Sequence, residues 1–278
     1  MIDPTLNAFI SGVIQGATEF LPISSSGHLA LYHSITKTSE EHLLFDVMLH
    51  LGTLVAVLAV YGGDLASMIL SVLNGCSRRL KGEKWRVLWQ RDADLRLAGW
   101  LIVATVPAAV AGALLEQAVE QLGNNSTLVG FFLIANGWIL FAASRRRPRV
   151  ERPLNLERTL GIGLAQALAI LPGVSRSGTT ISAAMASGQS PRNAARFSFL
   201  LSVPIILGAA AVKLLHAGHA GPAPWGQILL AAVVSAVVGY AALRLLLGLL
   251  RRGRFGVFAY YCWALGLAAV VIPRLVAH

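Results

Sequence analysis

Gln15 and Glu19 stand four residues apart, one helical turn, so their side chains share a face. The chain continues as Phe-Leu-Pro22-Ile-Ser24-Ser25-Ser26-Gly27-His28, where proline and glycine interrupt a helix and leave backbone N–H groups free beside three hydroxyls and an imidazole. A carboxylate, an imidazole and hydroxyls converging in this way can bind an oxyanion and move a proton. Far downstream, Leu171-Pro172-Gly173-Val174-Ser175-Arg176-Ser177-Gly178-Thr179-Thr180 joins a Pro-Gly break to an arginine at a helix start. Outward N–H donors, the positive end of a helix dipole and a planar guanidinium that grips two oxygens at once suit a phosphate group. It is not a Walker loop, because that motif's lysine is absent.

The elements that must carry these residues follow from composition. Of 278 residues, 55% are hydrophobic and 13% charged, and mean hydropathy is +0.65. A soluble chain of this length would carry about 70 charged side chains. The solvent that tolerates so much apolar surface is lipid, and the reading is an all-α polytopic membrane protein. Ionisable groups at membrane depth are costly and mark a functional site by default, which singles out Glu19, His28 and Arg176. Ser24, Ser26, Ser177 and Gly178, each taken alone, equally suit close helix packing. His33, His42, His50, His216 and His219 read as interfacial or loop residues, and Asp46 with His50 as an i,i+4 pair that either satisfies itself or supports the site. Cys76 and Cys262 form neither a disulfide framework nor a structural zinc site. Tryptophans and tyrosines read as interface anchors.

A hydrocarbon core about 30 Å thick needs about 20 apolar residues. Six stretches qualify: 43–62, 97–116, 127–143, 197–215, 226–249 and 255–272, closed by loop chemistry such as Tyr61-Gly62-Gly63, Gly123-Asn124-Asn125 or Gly221-Pro222-Ala223-Pro224. Two more, 9–21 and 160–171, are too short to cross and run into a proline and a Ser/Gly cluster, the shape of a re-entrant helix pair. The same offset that carries Gly12 to Gly163 carries Gln15 to Gln166, Ser24 to Ser175, Ser26 to Ser177 and Gly27 to Gly178. Each copy is followed by three spans, and an odd number inverts the second half. The expectation is a single integral membrane domain over 1–278: half 1–143, a basic linker 144–158 and half 159–278, arranged as an inverted-topology repeat.

Of 23 Lys and Arg, most lie in 74–96, 144–158 and 250–254, whereas 1–42, 117–126, 216–225 and 273–278 hold only Lys37 and Arg274. The positive-inside rule places the first set in the cytoplasm and both termini outside. The net charge of +10 is therefore mostly topology, and nucleic-acid binding is not expected. Met1-Ile2-Asp3-Pro4 lacks a basic n-region, so the first apolar stretch is expected to stay in the mature chain.

The run Gln15-x3-Glu19-Phe-Leu-Pro-Ile-Ser-Ser-Ser-Gly-His28, with Leu-Pro-Gly-Val-Ser-Arg176-Ser-Gly-Thr-Thr180, resembles the bacterial undecaprenyl-diphosphatase family, also called bacitracin resistance proteins. The resemblance covers the whole chain. It implies dephosphorylation of undecaprenyl diphosphate to the monophosphate, recycling the lipid carrier of peptidoglycan synthesis, with a divalent cation such as Mg²⁺ or Ca²⁺. It also implies a plasma-membrane site opening to the outer face. The family's [Glu/Gln]-x3-Glu motif falls on Gln15 and Glu19, its Ser-Ser-x-Gly-His stretch on Ser24, Ser25, Gly27 and His28, and its Pro-Gly-x-Ser-Arg-Ser loop on Pro172 to Ser177, followed by Thr180. Gln15 carries no charge, which puts metal binding by paired carboxylates in doubt, although magnesium often takes one or two carboxylates plus phosphate.

On this reading Glu19, Ser25, His28 and Arg176 are catalytic, and Ser24, Ser26, Gly27, Gly173, Ser175, Ser177, Gly178 and Thr180 surround the phosphates. Glu19, with Gln15, would anchor the cation. Ser25 activated by His28 is the first candidate nucleophile; His28 itself and a metal-bound water are the alternatives. The partners expected are a polyprenyl diphosphate lipid and the bilayer, and the sequence leaves room for a homodimer. Inverted repeats with re-entrant helices also suit a secondary transporter or a flippase of a lipid phosphate. The phosphatidic-acid phosphatase superfamily fits less well, because its Lys-x6-Arg-Pro element is missing.

Overall fold

Asp3 starts the first helix: its carboxylate accepts from the N–H groups of Thr5 and Leu6, and Pro4 occupies the first turn, where no N–H is needed. This helix, α1 (Pro4–Phe20), stops where Leu21, held extended at ψ 140 by the following Pro22, leaves the helical region. Ser24 then caps α2 (Ser25–Thr36). The computed structural model describes residues 2–37, 43–146, 151–216 and 224–276. Among these the chain is all-helical, with no β-strand. It continues through α3 (Leu43–Leu80), α4 (Trp85–Arg91), α5 (Ala93–Gly123), α6 (Ser126–Ser144), α7 (Leu156–Leu168), α8 (Arg176–Ala186), α9 (Pro191–His216), α10 (Trp225–Arg251) and α11 (Val257–Val276).

Five of these helices, α3, α5, α6, α9 and α10, are long and apolar enough to cross a membrane, and α11 holds a shorter apolar stretch, Val257–Ile272. The break expected at 123–125 is present, with Asn125 capping α6. The break expected at Tyr61-Gly62-Gly63 is not. Helix α3 runs straight through it for 38 residues, about 57 Å at 1.5 Å per residue. A glycine inside a helix costs about 1 kcal/mol, too little by itself to end a helix whose apolar residues on both sides of it are packed. The extra length carries Arg78 and Arg79 beyond the apolar portion. Of the expected loop 221–224, only Pro224 lies within the described residues.

Polarity is arranged inside out. Ile102 is 65% exposed, Leu114 77%, Val237 66% and Leu267 59%, surface that lipid covers without cost. The buried set includes Ser11, Gln15, Glu19, Asn136, Ser175, Ser177, Thr180, Ser198 and Ser235. Around them packs a core of Phe20, Leu140, Ile181, Phe199, Leu200 and Leu243.

The two helices that precede the broken motifs exchange partners across the halves: α1 packs on α10, and α7 packs on α5. Small residues permit both approaches. A Cβ at Gly12 would lie 2.7 Å from the Ala231 carbonyl oxygen, one at Gly16 2.7 Å from that of Ser235, and one at Gly163 2.7 Å from that of Ala104. The repeated Gly12 and Gly163 thus do one job twice. At the far end of α8, Glu151 accepts hydrogen bonds from the N–H and hydroxyl of Ser190 and from Asn193, tying the linker to the start of α9. Those bonds, the Ser190 N–H first, hold its carboxyl below the usual carboxylate range.

Gly16→Leu should push α1 off α10 and lower the Tm of the purified protein by many degrees, because the new side chain meets backbone on two sides. Gly161→Ala, on an open face of α7, should leave the Tm equal or slightly higher, since alanine gains about 1 kcal/mol over glycine in a helix. A Gly16→Leu protein as stable as the parent would contradict this packing.

Candidate active site

Two loops meet where the broken helices end. Ser24 caps α2, its Oγ accepting from Gly27 N–H at 3.2 Å, and Ser175 caps α8, its Oγ accepting from Gly178 N–H at 3.1 Å. The second hydroxyl of each pair repeats the pattern: Ser24 Oγ lies 3.3 Å from Ser26 Oγ, and Ser175 Oγ 3.1 Å from Ser177 Oγ. The loops then bond to each other, Gly173 N–H donating to Ser24 Oγ at 3.1 Å. Glycine is required here. Gly173 sits at φ 102, and a Cβ on it would lie 2.6 Å from the Val129 carbonyl oxygen; one on Gly27 would lie 3.0 Å from Gly173 Cα. Ser24 itself holds φ 71 and ψ 100, a conformation costing an L residue roughly 1–2 kcal/mol.

This junction brings Glu19 and Arg176 together. Arg176 Nη2 donates to Glu19 Oε1 at 2.5 Å, with the two side chains 14% and 8% exposed. Glu19 Oε2 accepts from Ser25 Oγ at 2.6 Å and from Gln15 Nε2 at 3.0 Å. The carboxylate therefore sits among a guanidinium, a hydroxyl and an amide, all donating. Two neighbouring atoms are buried with no hydrogen-bond partner among the described residues: Arg176 Nη1 and Gln15 Oε1. A buried donor and a buried acceptor left open beside one carboxylate are what a ligand bearing both anionic oxygens and an associated cation would satisfy.

The remaining residues singled out by sequence fall at differing distances from this centre. Thr180 Oγ1 donates to the Arg176 carbonyl at 2.7 Å and shares a 2.5 Å bond with Ser198, so it holds α8 to α9. Ser177 Oγ reaches the Leu21 carbonyl at 3.4 Å, and Ser26 is exposed. Gly178 lets α8 approach Pro22. The described bonds of His28 go to the Ser24 carbonyl, at 2.7 Å from Nδ1, and to Tyr261 Oη, at 2.8 Å from Nε2; the hydroxyl of Ser25 is turned to Glu19 instead. His50 corrects its sequence reading. It lies within α3, half-buried and in electrostatic reach of Glu19, and its Nδ1 bonds the Asp46 backbone carbonyl at 2.9 Å. His42 and His219 lie outside the described residues.

Three contributors escaped the sequence reading: Asn136, Ser198 and Tyr261. Asn136 joins both loops, its Nδ2 donating to the Pro22 carbonyl at 2.9 Å and its Oδ1 accepting from Ser175 N–H at 3.1 Å. Its signal was available, since it is the lone amide in the apolar stretch 127–143.

As for a cation, no group of three His, Cys, Asp or Glu gathers among the described residues. Glu19 and the open Gln15 Oε1 are nonetheless hard oxygen donors of the kind magnesium or calcium takes when phosphate oxygens complete the shell. The donor set fits a cation shared with a bound anion.

Comparison with known proteins places the chain in a family. The family model described as Bacitracin resistance protein BacA matches residues 8–268. A protein of Desulfatibacillum aliphaticivorans named undecaprenyl-diphosphatase is 40% identical over 276 residues, 98% of this chain and 99% of its own. Proteins of the same name from Desulfosudis oleivorans and Methanobrevibacter smithii are 42% identical over 270 residues and 39% over 276; they cover 94% and 98% of this chain, and 96% and 98% of their own. With a family model matched over nearly its full length and relatives of this similarity, the chain belongs to the bacitracin resistance protein BacA family.

Proposed function

We propose that this chain is an undecaprenyl-diphosphatase, releasing inorganic phosphate from undecaprenyl diphosphate at a membrane-embedded site and leaving the monophosphate carrier. The observation that carries the reading is the half-used guanidinium: Arg176 Nη2 holds Glu19 while the buried Nη1 has no partner among the described residues. A terminal phosphate would take up the open nitrogen, and the capped starts of α2 and α8 would direct their N–H groups and hydroxyls at its equatorial oxygens. In this scheme Glu19 is the counter-ion that keeps the guanidinium tolerable at depth until the diphosphate arrives.

Ser25 is the nucleophile of choice because its proton already points to Glu19 Oε2 at 2.6 Å. Ser25 Oγ attacks the terminal phosphorus as Glu19 accepts that proton; the bond from this phosphorus to the bridging oxygen breaks, and the lipid monophosphate leaves. Water then cleaves the phosphoserine ester, giving inorganic phosphate and restoring Ser25. A divalent cation at Glu19 and Gln15 would offset charge on the diphosphate. The secondary-transporter reading is the weaker one, since the similar relatives are named as phosphatases.

The finer architecture belongs to the same proposal: six spans, with α1–α2 and α7–α8 as re-entrant pairs, in one domain built as an inverted repeat. The exchanged packing of α1 on α10 and α7 on α5 supports it. The basic clusters support a cytoplasmic position for 74–96, 144–158 and 250–254, hence outward termini and a site opening to the outer face of the plasma membrane.

Three outcomes test this reading. Arg176→Lys should lower phosphate release from a long-chain prenyl diphosphate about 10²–10³-fold with Tm unchanged, because a point charge cannot hold an acid and a phosphate in one plane; unchanged turnover would remove Arg176 from the site. A chelator should abolish release and added Mg²⁺ restore it in the parent, whereas residual release by Glu19→Gln should be insensitive to metal; a full metal response in that variant would put the cation elsewhere. A membrane-impermeant maleimide should label the exposed Cys76 in inside-out vesicles and spare it in intact cells, and the reverse pattern would invert the topology.

A further inference from the structure

Ser24 holds its unusual conformation, φ 71 and ψ 100, immediately before Ser25. Such a residue keeps its shape only where its surroundings over-determine it. Its hydroxyl is fixed by the N–H groups of Gly27 and Gly173. Its carbonyl is fixed by His28, which approaches with its backbone N–H at 3.2 Å and with Nδ1 at 2.7 Å. A carbonyl oxygen can only accept, so Nδ1 is a protonated nitrogen, and in the neutral imidazole this leaves the lone pair on Nε2. Nε2 meets Tyr261 Oη at 2.8 Å, where the hydroxyl donates, and the two rings lie nearly parallel, 7° apart in plane with centroids at 5.7 Å. Both ring nitrogens are thereby engaged away from Ser25, whose hydroxyl is directed to Glu19.

We infer that Tyr261 and His28 form a positioning strut for the reaction rather than its acid–base apparatus. Tyr261, from the last helix, sets the tautomer and angle of the imidazole; Nδ1–H grips the Ser24 carbonyl; the strained turn so held delivers Ser25 Oγ to the Glu19 carboxylate. His28 takes no proton from the nucleophile. Asn136 anchors the other side of the same turn through the Pro22 carbonyl, so α6 and α11 together brace the loop of the first half. The kinetic part of this inference rests on the phosphatase reading; the tautomer does not.

The experiment uses the full-length protein in nanodiscs with ¹⁵N-labelled histidine. His28 is assigned by the signals lost in His28→Asn. Long-range ¹⁵N–¹H correlation should find Nδ1 protonated and Nε2 bare, and Tyr261→Phe should shift the Nε2 resonance toward that of an unbonded ring nitrogen. An Nε2-protonated ring, or an Nε2 signal indifferent to Tyr261→Phe, overturns the strut. The kinetic arm uses isosteres. The asparagine amide nitrogen stands where Nδ1 stood and cannot titrate, so His28→Asn should keep kcat within about tenfold of the parent, whereas loss of a general base costs about 10²–10⁴-fold. His28→Gln and His28→Ala, which remove the side-chain bond to the Ser24 carbonyl and keep only the backbone N–H, should fall well below it. Tyr261→Phe should lower kcat about fivefold, the size of one hydrogen bond, with KM unchanged. If His28→Asn is as inactive as His28→Ala, the imidazole moves a proton and the inference fails. If the parent releases no phosphate from a prenyl diphosphate, the function proposed above fails, and the tautomer still decides the strut.

Discussion

A carboxylate and a guanidinium taken out of water must face each other, and in this chain that requirement governs the fold around them. Glu19 and Arg176 are separated by 157 positions, yet they meet at 2.5 Å with little exposure. Removing one partner would leave a buried charge uncompensated, a change that typically costs about 3–5 kcal/mol. To make the contact, each helix must stop inside the fold. Pro22 and the Pro172-Gly173 pair end the helices, Ser24 and Ser175 recap them, and Gly27 against Gly173 lets the two turns touch. Gly12, Gly16 and Gly163 set the supporting helices close enough to hold the turns in place. Asn136 then spans the junction, satisfying a carbonyl from one loop and an N–H from the other.

The repeat supplies a scaffold, and the chemistry departs from it. Caps, hydroxyl pairs and close-packing glycines recur at the same offset in both halves. The reactive groups do not: the position equivalent to Glu19 is Ile170, and the position equivalent to Arg176 is Ser25. Each copy therefore repeats the same serine cap but carries a different side chain. A carboxylate comes from the first copy of the motif, a guanidinium from the second, and the hydroxyl that bonds the carboxylate occupies the place the arginine holds in the second copy. The repeated motif thus frames a site whose two sides carry different side chains.

Much of this was legible in the residues. Apolar length, loop charge and the paired motifs point to a helical membrane protein with Glu19, Arg176, Ser25 and His28 near one another. What escaped depended on geometry that spacing does not encode. The three-residue interval from Ser25 to His28 suggests a hydroxyl–imidazole pair, but the φ 71 turn at Ser24 rotates the hydroxyl to Glu19 and the ring to the Ser24 carbonyl. Tyr261 resembles any interface tyrosine until α11 is placed. Tyr61-Gly62-Gly63 has the composition of a loop, yet the small penalty of each glycine does not end a helix packed on both sides of it, and α3 continues through.

The most direct test of the central claim, that the buried pair delivers Ser25 to phosphorus, is to quench the purified protein within milliseconds of mixing with a prenyl diphosphate labelled in its terminal phosphate, then map the labelled peptide. The account predicts phosphate on Ser25, in a peptide that vanishes in Ser25→Ala. Label on His28, or solvent oxygen entering the released phosphate with no protein-bound species at any time, would contradict it.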